Sequence, residues 1–290
     1  MDASTEASRI VAEQPDTDTI ASVAWMPTSK GLIAIGSKEG RLELFDVEGG
    51  KSVRRFQGHC KFRTGALAWN SHQQNLLTSG GRDKLILHHD VRVREPVAVS
   101  QGHSQEVCGV RWDQSGTRLA SGGNDNCVMV WDPRQPSSPI ISYDKHLAAV
   151  KALAWSPHIP GLLTTGGGTA DRTIRFWNTR SGSTSTEPIK TIAAGSQVCN
   201  MVWSKHTNEL ITTHGFSEHQ IMRWSYPSLT NTAVMLGHQQ RILHLALSPD
   251  GQTIVTGSPD GTLRFWHPFC GGGAKVARFN THGILTNPFL

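Results

Sequence analysis

Histidine, a hydroxyl residue and aspartate, the side-chain types that together activate a nucleophile, recur along this chain. His59, Ser79 and Asp83 form one set, His103, Ser121 and Asp125 a second, and His238, Thr256 and Asp260 a third, while His146 and Asp171 open a fourth. A hydrolytic site needs its triad once, so repetition argues against catalysis and no enzyme is expected. The alternative is a buried hydrogen-bond chain in which Asp orients His, His meets the hydroxyl, and the hydroxyl reaches an indole N–H, here Trp131, Trp177 or Trp266. Each buried polar atom then has a partner and the surrounding element is stiffened. The five cysteines are odd in number and lack C-x-x-C spacing, which indicates neither a disulfide framework nor zinc. Reduced thiols in the nucleus and cytoplasm, with no metal and no cofactor, are the expectation.

The elements that must position these sets repeat. All nine tryptophans fall into two evenly spaced series. The first runs Trp25, Trp69, Trp112, Trp155, Trp203 and then Leu247; the second runs Phe45, His89, Trp131, Trp177, Trp224 and Trp266. They define six copies of a unit of about 42 to 48 residues, the period of four-stranded propeller blades. Within a copy the hydrophobic period is 2, as strands require. In the third copy Val107–Trp112, Arg118–Ser121 and Cys127–Trp131 read as strands, divided by turns at Asp113–Gly116 and Gly122–Asp125. The sixth repeats this plan at Ile242–Leu247, Thr253–Thr256 and Thr262–Trp266, with Ala274–Phe279 as its fourth strand. Ser8–Ala12 is a competing candidate for that outer position, Cys270–Gly273 reads as a flexible turn, and Ser181–Glu187 as a polar loop. No helical period is present, so the chain is all-β. Its expected divisions are an N-terminal tail at 1–19, a propeller at 20–280 and a C-terminal tail at 281–290.

Composition narrows the partners. A net charge of +5 from 28 basic and 23 acidic residues is too small and too dispersed for the basic stripe of a nucleic-acid binder. Residues 1–20 hold no apolar signal region and no long apolar run occurs elsewhere, so neither membrane insertion nor secretion is expected. Binding must come from positions where the copies differ. Six residues before the first tryptophan series stand Thr19, Arg63, Glu106, Ala149, Gln197 and Arg241, and the turns between second and third strands offer Arg82, Asn124, Thr169 and Ser258. In a propeller both sets open on one face, around the channel mouth, where unlike polar groups suit a short extended peptide.

The His, Ser or Thr, Asp and Trp pattern resembles the structural tetrad of WD-repeat proteins. Trp131-Asp132 is the literal signature, and Phe45-Asp46, His89-Asp90 and Trp177-Asn178 are relaxed forms. The stretches His88–Arg92, Gly102–Cys108, Ser121–Asn126, Thr165–Arg172, Ser196–Cys199 and His214–Phe216 are more particular. They resemble the Fizzy and Fizzy-related family, substrate-recognising activators of the anaphase-promoting complex, with matches in unbroken order from Val23 to Trp266.

That resemblance implies a non-catalytic, degron-binding WD-repeat β-propeller. The anaphase-promoting complex, substrates bearing a Lys-Glu-Asn motif, and mitotic-checkpoint proteins are the partners it suggests. The positions matching the family's degron site are Asn124, Asn126, Thr169, Gln197 and Arg241, with Arg241 suited to a peptide Glu and the amides and hydroxyl to its Asn and main chain. Two departures accompany it. Family propellers have seven blades and six repeats are recognisable here, which leaves the Lys-Glu-Asn pocket and the destruction-box groove each short of one wall. The family's N-terminal docking box and terminal Ile-Arg tail have no counterpart. A six-repeat array either closes more tightly or leaves open blade faces, and the alternative function is an interaction scaffold or relic that keeps the fold without activating a ligase.

Overall fold

The computed structural model describes residues 18–29, 31–180, 185–216, 219–269 and 276–280, the last of these as backbone. Ser8–Ala12, Cys270–Gly273 and Ser181–Thr184 lie outside them. All 24 described strands belong to six four-stranded antiparallel sheets, each a simple meander. No helix occurs among the described residues. The chain divides into two compact units, residues 1–151 with 184–187, and residues 152–183 with 188–290.

The first unit holds three sheets. They are β1 (Ile20–Trp25), β2 (Leu32–Ser37), β3 (Leu42–Asp46) and β4 (Lys51–Phe56); β5 (Thr64–Trp69), β6 (Leu76–Gly81), β7 (Leu85–Asp90) and β8 (Ala98–Gln101); and β9 (Val107–Trp112), β10 (Leu119–Gly123), β11 (Val128–Trp131) and β12 (Ile141–Tyr143). The second unit is built on β13 (Val150–Trp155), β14 (Leu162–Gly167), β15 (Thr173–Asn178) and β16 (Lys190–Ala193); β17 (Val198–Trp203), β18 (Glu209–His214), β19 (Ile221–Ser225) and β20 (Thr230–Met235); and β21 (His244–Leu247), β22 (Ile254–Gly257), β23 (Thr262–Trp266) and β24 (Val276–Asn280). The strands expected from the repeat occur with small corrections: β10 ends at Gly123 rather than Ser121, and β21 starts at His244 rather than Ile242.

Sheet-on-sheet packing explains the tryptophan spacing. Trp69 and Trp112 end β5 and β9 and pack toward the preceding sheet, Trp69 in a cluster with Ala34, Leu42, Leu44, Phe56 and Leu77, and Trp112 in one with Ile86, Val107 and Leu119. In the second unit Trp203 and Trp224 share a core with Phe176, Ala194 and Met201, and Trp266 packs with Ile211, Ile221, Met235 and Ile254. A buried indole removes on the order of 200 Å² from water, worth roughly 5 kcal/mol before entropy. One apolar face per sheet is thereby committed to its neighbour.

At least four first strands begin with an irregularity in register, between Ile20 and Ser22, Thr64 and Ala66, Val198 and Asn200, and, on the facing strand of the third sheet, Gly122 and Gly123. Bulges of this kind re-aim the preceding side chain. Thr19, Arg63, Glu106 and Gln197 sit at these starts.

Candidate functional site

Buried hydrogen-bond chains hold the loops. In the third sheet His103 Nδ1 donates to Asp125 at 3.0 Å, Ser121 Oγ meets His103 Nε2 at 2.8 Å, and Trp131 Nε1 donates to Ser121 at 2.8 Å. The sixth sheet repeats this with His238 to Asp260 at 2.9 Å, Thr256 to His238 at 2.8 Å and Trp266 to Thr256 at 2.8 Å. The indole N–H can only donate, so the hydroxyl accepts from it and keeps its own hydrogen available for imidazole Nε2, while imidazole Nδ1–H faces the carboxylate. Burial by itself would raise the Asp260 carboxyl, yet donation from Thr262, the Gln239 amide and His238 pulls it down to about 2. Burial likewise opposes the lowering at Asp125, where His103 and the amides of Ser104 and Cys127 prevail.

The second sheet departs from this pattern. His59 meets Asp83 at 2.8 Å and Ser79 at 2.9 Å, but Ser79 then receives His89 Nε2 at 3.0 Å in place of an indole. The other ring nitrogen, His89 Nδ1, has no hydrogen-bond partner in its buried site. Burial, with His59 and His88 nearby, pushes the His89 pKa down to about 3. In the fourth sheet Trp177 donates to Thr165 at 2.8 Å, twelve residues upstream and not ten, because Gly166–Ala170 lengthens the turn. Asp171 there accepts from Thr173 at 2.8 Å and pairs with Arg175 at 3.4 Å; His146 lies buried in the other unit.

Two further chains escaped the sequence reading. Trp224 donates to Thr212 at 2.9 Å, Thr212 meets His214 Nε2 at 2.7 Å, and His214 Nδ1 meets Ser196 at 3.2 Å. Trp112 donates to Thr78 at 3.2 Å, Thr78 meets His88 Nδ1 at 3.1 Å, and His88 Nε2 meets Ser100 at 3.2 Å. The same bonding logic therefore runs with histidine supplied from a strand. For the Trp224 chain the available signal was a hydroxyl twelve residues before the indole, as Thr165 stands before Trp177, hidden by a shift of two residues in register.

These chains terminate at the loops of interest. Asp125 also accepts the Ser104 amide at 2.8 Å and Asp260 the Gln239 amide at 2.9 Å, two residues short of Glu106 and Arg241 respectively. A second tie recurs in four sheets. The amides of Lys38, Arg82, Asn124 and Gly215 donate to the carbonyls of Thr19, Arg63, Glu106 and Gln197 at 2.8, 2.9, 2.9 and 3.0 Å. The divergent side chains thus stand on backbone fixed from both sides.

The five residues assigned by family resemblance are divided between the units. In the second, Gln197 is half-buried, with Thr169 Oγ1 3.4 Å from its Oε1. Gly215 lies beside both Gln197 and Arg241, and a Cβ there would come within 2.9 Å of Gln197 Oε1 and 3.4 Å of Arg241 Cγ. Arg241 is exposed, its Cζ 5.2 Å from the centroid of Phe216, a ring that is itself 54% exposed. Phe216 was not among the assigned residues although it stands in the quoted His214–Phe216 stretch; it orients the guanidinium by cation–π contact. In the first unit Asn124 is exposed on the β10–β11 turn and Asn126 follows it in the left-handed region at φ 65°. Lys84, Arg172, His219, Gly40 and Gly261 occupy the matching turn positions with φ between 50° and 82°. The Asn126 conformation is therefore a property of every such turn, while its side chain is particular to this one. Among the described residues no group of three or more His, Cys, Asp or Glu could hold a metal ion, and no helix is long and apolar enough to cross a membrane.

The family profile described as the CDC20/Fizzy WD40 domain matches residues 1–266. The chain is 50% identical over 253 residues to B-type cell cycle switch protein ccs52A of Medicago truncatula, covering 87% of this chain and 51% of that protein. It is 44% identical over 291 residues to anaphase-promoting complex subunit cdh1 of Dictyostelium discoideum, covering 89% of this chain and 38% of that one. A chain of the crystal structure of the mitotic checkpoint complex superposes with a TM-score of 0.85 at 40% identity, over 92% of this chain and 80% of its own. The chain spans about half the length of curated relatives such as ccs52A. Six meandering sheets, tryptophan-anchored faces and polar chains of the WD type meet in one sequence with this similarity, and the protein belongs to the CDC20/Fizzy WD40 family.

Proposed function

We propose that the chain is a non-catalytic substrate-recognition module of an anaphase-promoting-complex activator, holding the Lys-Glu-Asn motif of cell-cycle substrates in the nucleus and cytoplasm. The observation that carries this reading is the convergence of Gln197, Gly215, Phe216 and Arg241 in the second unit, with Thr169 beside Gln197. Gly215 leaves room for a main chain to approach. Arg241, steadied over Phe216, presents a guanidinium that can bind a peptide carboxylate through two parallel bonds. Gln197 and Thr169 offer donors and acceptors for a side-chain amide. None of these groups is positioned as a nucleophile beside a base, and the histidines with paired carboxylates are committed to the structural chains. Ligase activation, with the anaphase-promoting complex and mitotic-checkpoint proteins as partners, is proposed on family membership. The destruction-box site is not part of the proposal.

Anisotropy of a fluorescent Lys-Glu-Asn peptide tests the reading. Saturable binding is expected, weakened by Arg241→Ala by about 2–5 kcal/mol and abolished when the three peptide residues become Ala. A cooperatively folded protein that binds both peptides alike would sink the degron reading in favour of a scaffold.

A further inference from the structure

A depression of about 500 Å³ opens on the first unit between Lys38 and Glu39 of the β2–β3 turn, Lys61, Phe62 and Arg63 of the β4–β5 loop, Arg82 and Glu106. Its walls carry four cations and two carboxylates. Arg63 is engaged: its Nε and Nη2 donate to Glu106 Oε1 at 2.9 and 2.6 Å, and the Glu106 side chain is only 11% exposed. Among the described residues Lys38, Lys61 and Arg82 form no ion pair.

The frame around these cations is rigid. Lys61 is held in the left-handed region at φ 61° by a tight turn in which the Phe62 amide donates to the His59 carbonyl at 2.7 Å. Gly40 permits this close packing, since a Cβ there would come within 2.7 Å of the Phe62 carbonyl. A lysine kept in that conformation is a cost that the surrounding structure must impose, and such residues cluster at ligand clamps. The Lys38 and Arg82 amides are tied to Thr19 and Arg63. Phe62, 48% exposed, supplies an apolar wall.

We propose that this depression binds an anionic side chain of a peptide, a phosphorylated residue or a short acidic run, between Lys38, Lys61 and Arg82. Arg82 supplies the planar fork that suits phosphate or carboxylate, and the lysines add compact charges. The locus is one depression and not a stripe, which separates it from a nucleic-acid surface. It adjoins Asn124, whose amide donates to the Glu106 carbonyl at 2.9 Å. It therefore rests on the peptide-reading role proposed above for its biological setting, although the binding chemistry is independent of Arg241.

The test uses the whole chain and labelled peptides that contain no Lys-Glu-Asn sequence: one neutral peptide with a central Ser, its phosphoserine form, and a form with three consecutive Asp. The expected result is phosphopeptide binding at least about tenfold tighter than that of the neutral peptide, as two or three added charge-assisted bonds would give. It should fall by a similar factor in Lys38→Ala/Arg82→Gln and persist in Arg241→Ala. A triple-Asp peptide that binds as well shows that carboxylates suffice; one that does not assigns the site to phosphate. Equal affinity for neutral and phosphorylated peptides, an unaffected double variant with an unchanged unfolding midpoint, or displacement by duplex DNA as effective as by the phosphopeptide overturns the proposal. An unsubstituted chain that binds the phosphopeptide but no Lys-Glu-Asn peptide would count against the degron reading alone.

Discussion

Single side chains settle how acid acts on this fold. Burial holds His88 and His214 near a pKa of about 4 and His89 near about 3, below the ordinary value of 6.5. The unfolded chain takes up protons on these groups as pH drops below about 6.5, while the folded chain does not until it reaches 3 to 4. Stability is therefore fully present above that window and lost through it, by about 1.4 kcal/mol per pH unit for each histidine at most. The urea midpoint should fall clearly between pH 7.5 and 5.5, and a flat midpoint would refute the neutral, buried assignment. Asp260, lowered to about 2, adds its own loss only below about pH 4, in the same direction. Ser121 gives a second residue-scale expectation. It bonds both His103 and Trp131, so Ser121→Ala strands two buried polar atoms and should cost about 2–4 kcal/mol. Exposed Ser71→Ala should cost little by the same chemical denaturation.

At the scale of the element, the turn between second and third strands is the unit that carries variation. Each needs one residue with positive φ after its carboxylate or equivalent, filled by Gly40, Lys84, Asn126, Arg172, His219 and Gly261. A residue with a Cβ pays about 1 kcal/mol there. Lys84→Gly should accordingly raise the unfolding midpoint by up to about 1 kcal/mol in equivalent stability, since the Lys84 amide bond to Gly81 is retained. A lowered midpoint would mean that the Lys84 side chain contributes more than its backbone costs. Two of the six positions are already glycine, which shows that the turn accommodates it.

At the scale of the whole molecule, β1 carries the most exposed copy of the repeated apolar register. Ile20, Val23 and Trp25 on β1 are 41, 57 and 55% exposed, whereas Trp69 and Trp112 in the same register are 9 and 8% exposed. Exposed apolar side chains on a sheet promote association. Sedimentation velocity of the purified chain should show concentration-dependent self-association that Val23→Ser/Trp25→Ser reduces without altering the far-ultraviolet spectrum; equal association by both would exonerate this patch. The tryptophan spacing made the repeat legible, because the indoles at 69, 112 and 203 end first strands and those at 131, 177, 224 and 266 lie on third strands, each buried against sheet, and a fixed gap demands a fixed period. Strand type was legible for the same reason, from alternation between two faces. The His103 and His238 chains could be read as candidates because their members keep a constant separation, while those through His88 and His214 could not, since their histidines come from strand interiors and their partners are set by sheet packing. Thr165 escaped through a lengthened turn. Position in the sequence suggested which residues differ among copies, yet only the tertiary structure decided that Phe216 underlies Arg241, that Glu106 occupies Arg63, and that Lys38, Lys61 and Arg82 share one depression. Those contacts join loops about 20 to 45 residues apart, and it is the stacking of successive sheets, not any local propensity, that brings them together.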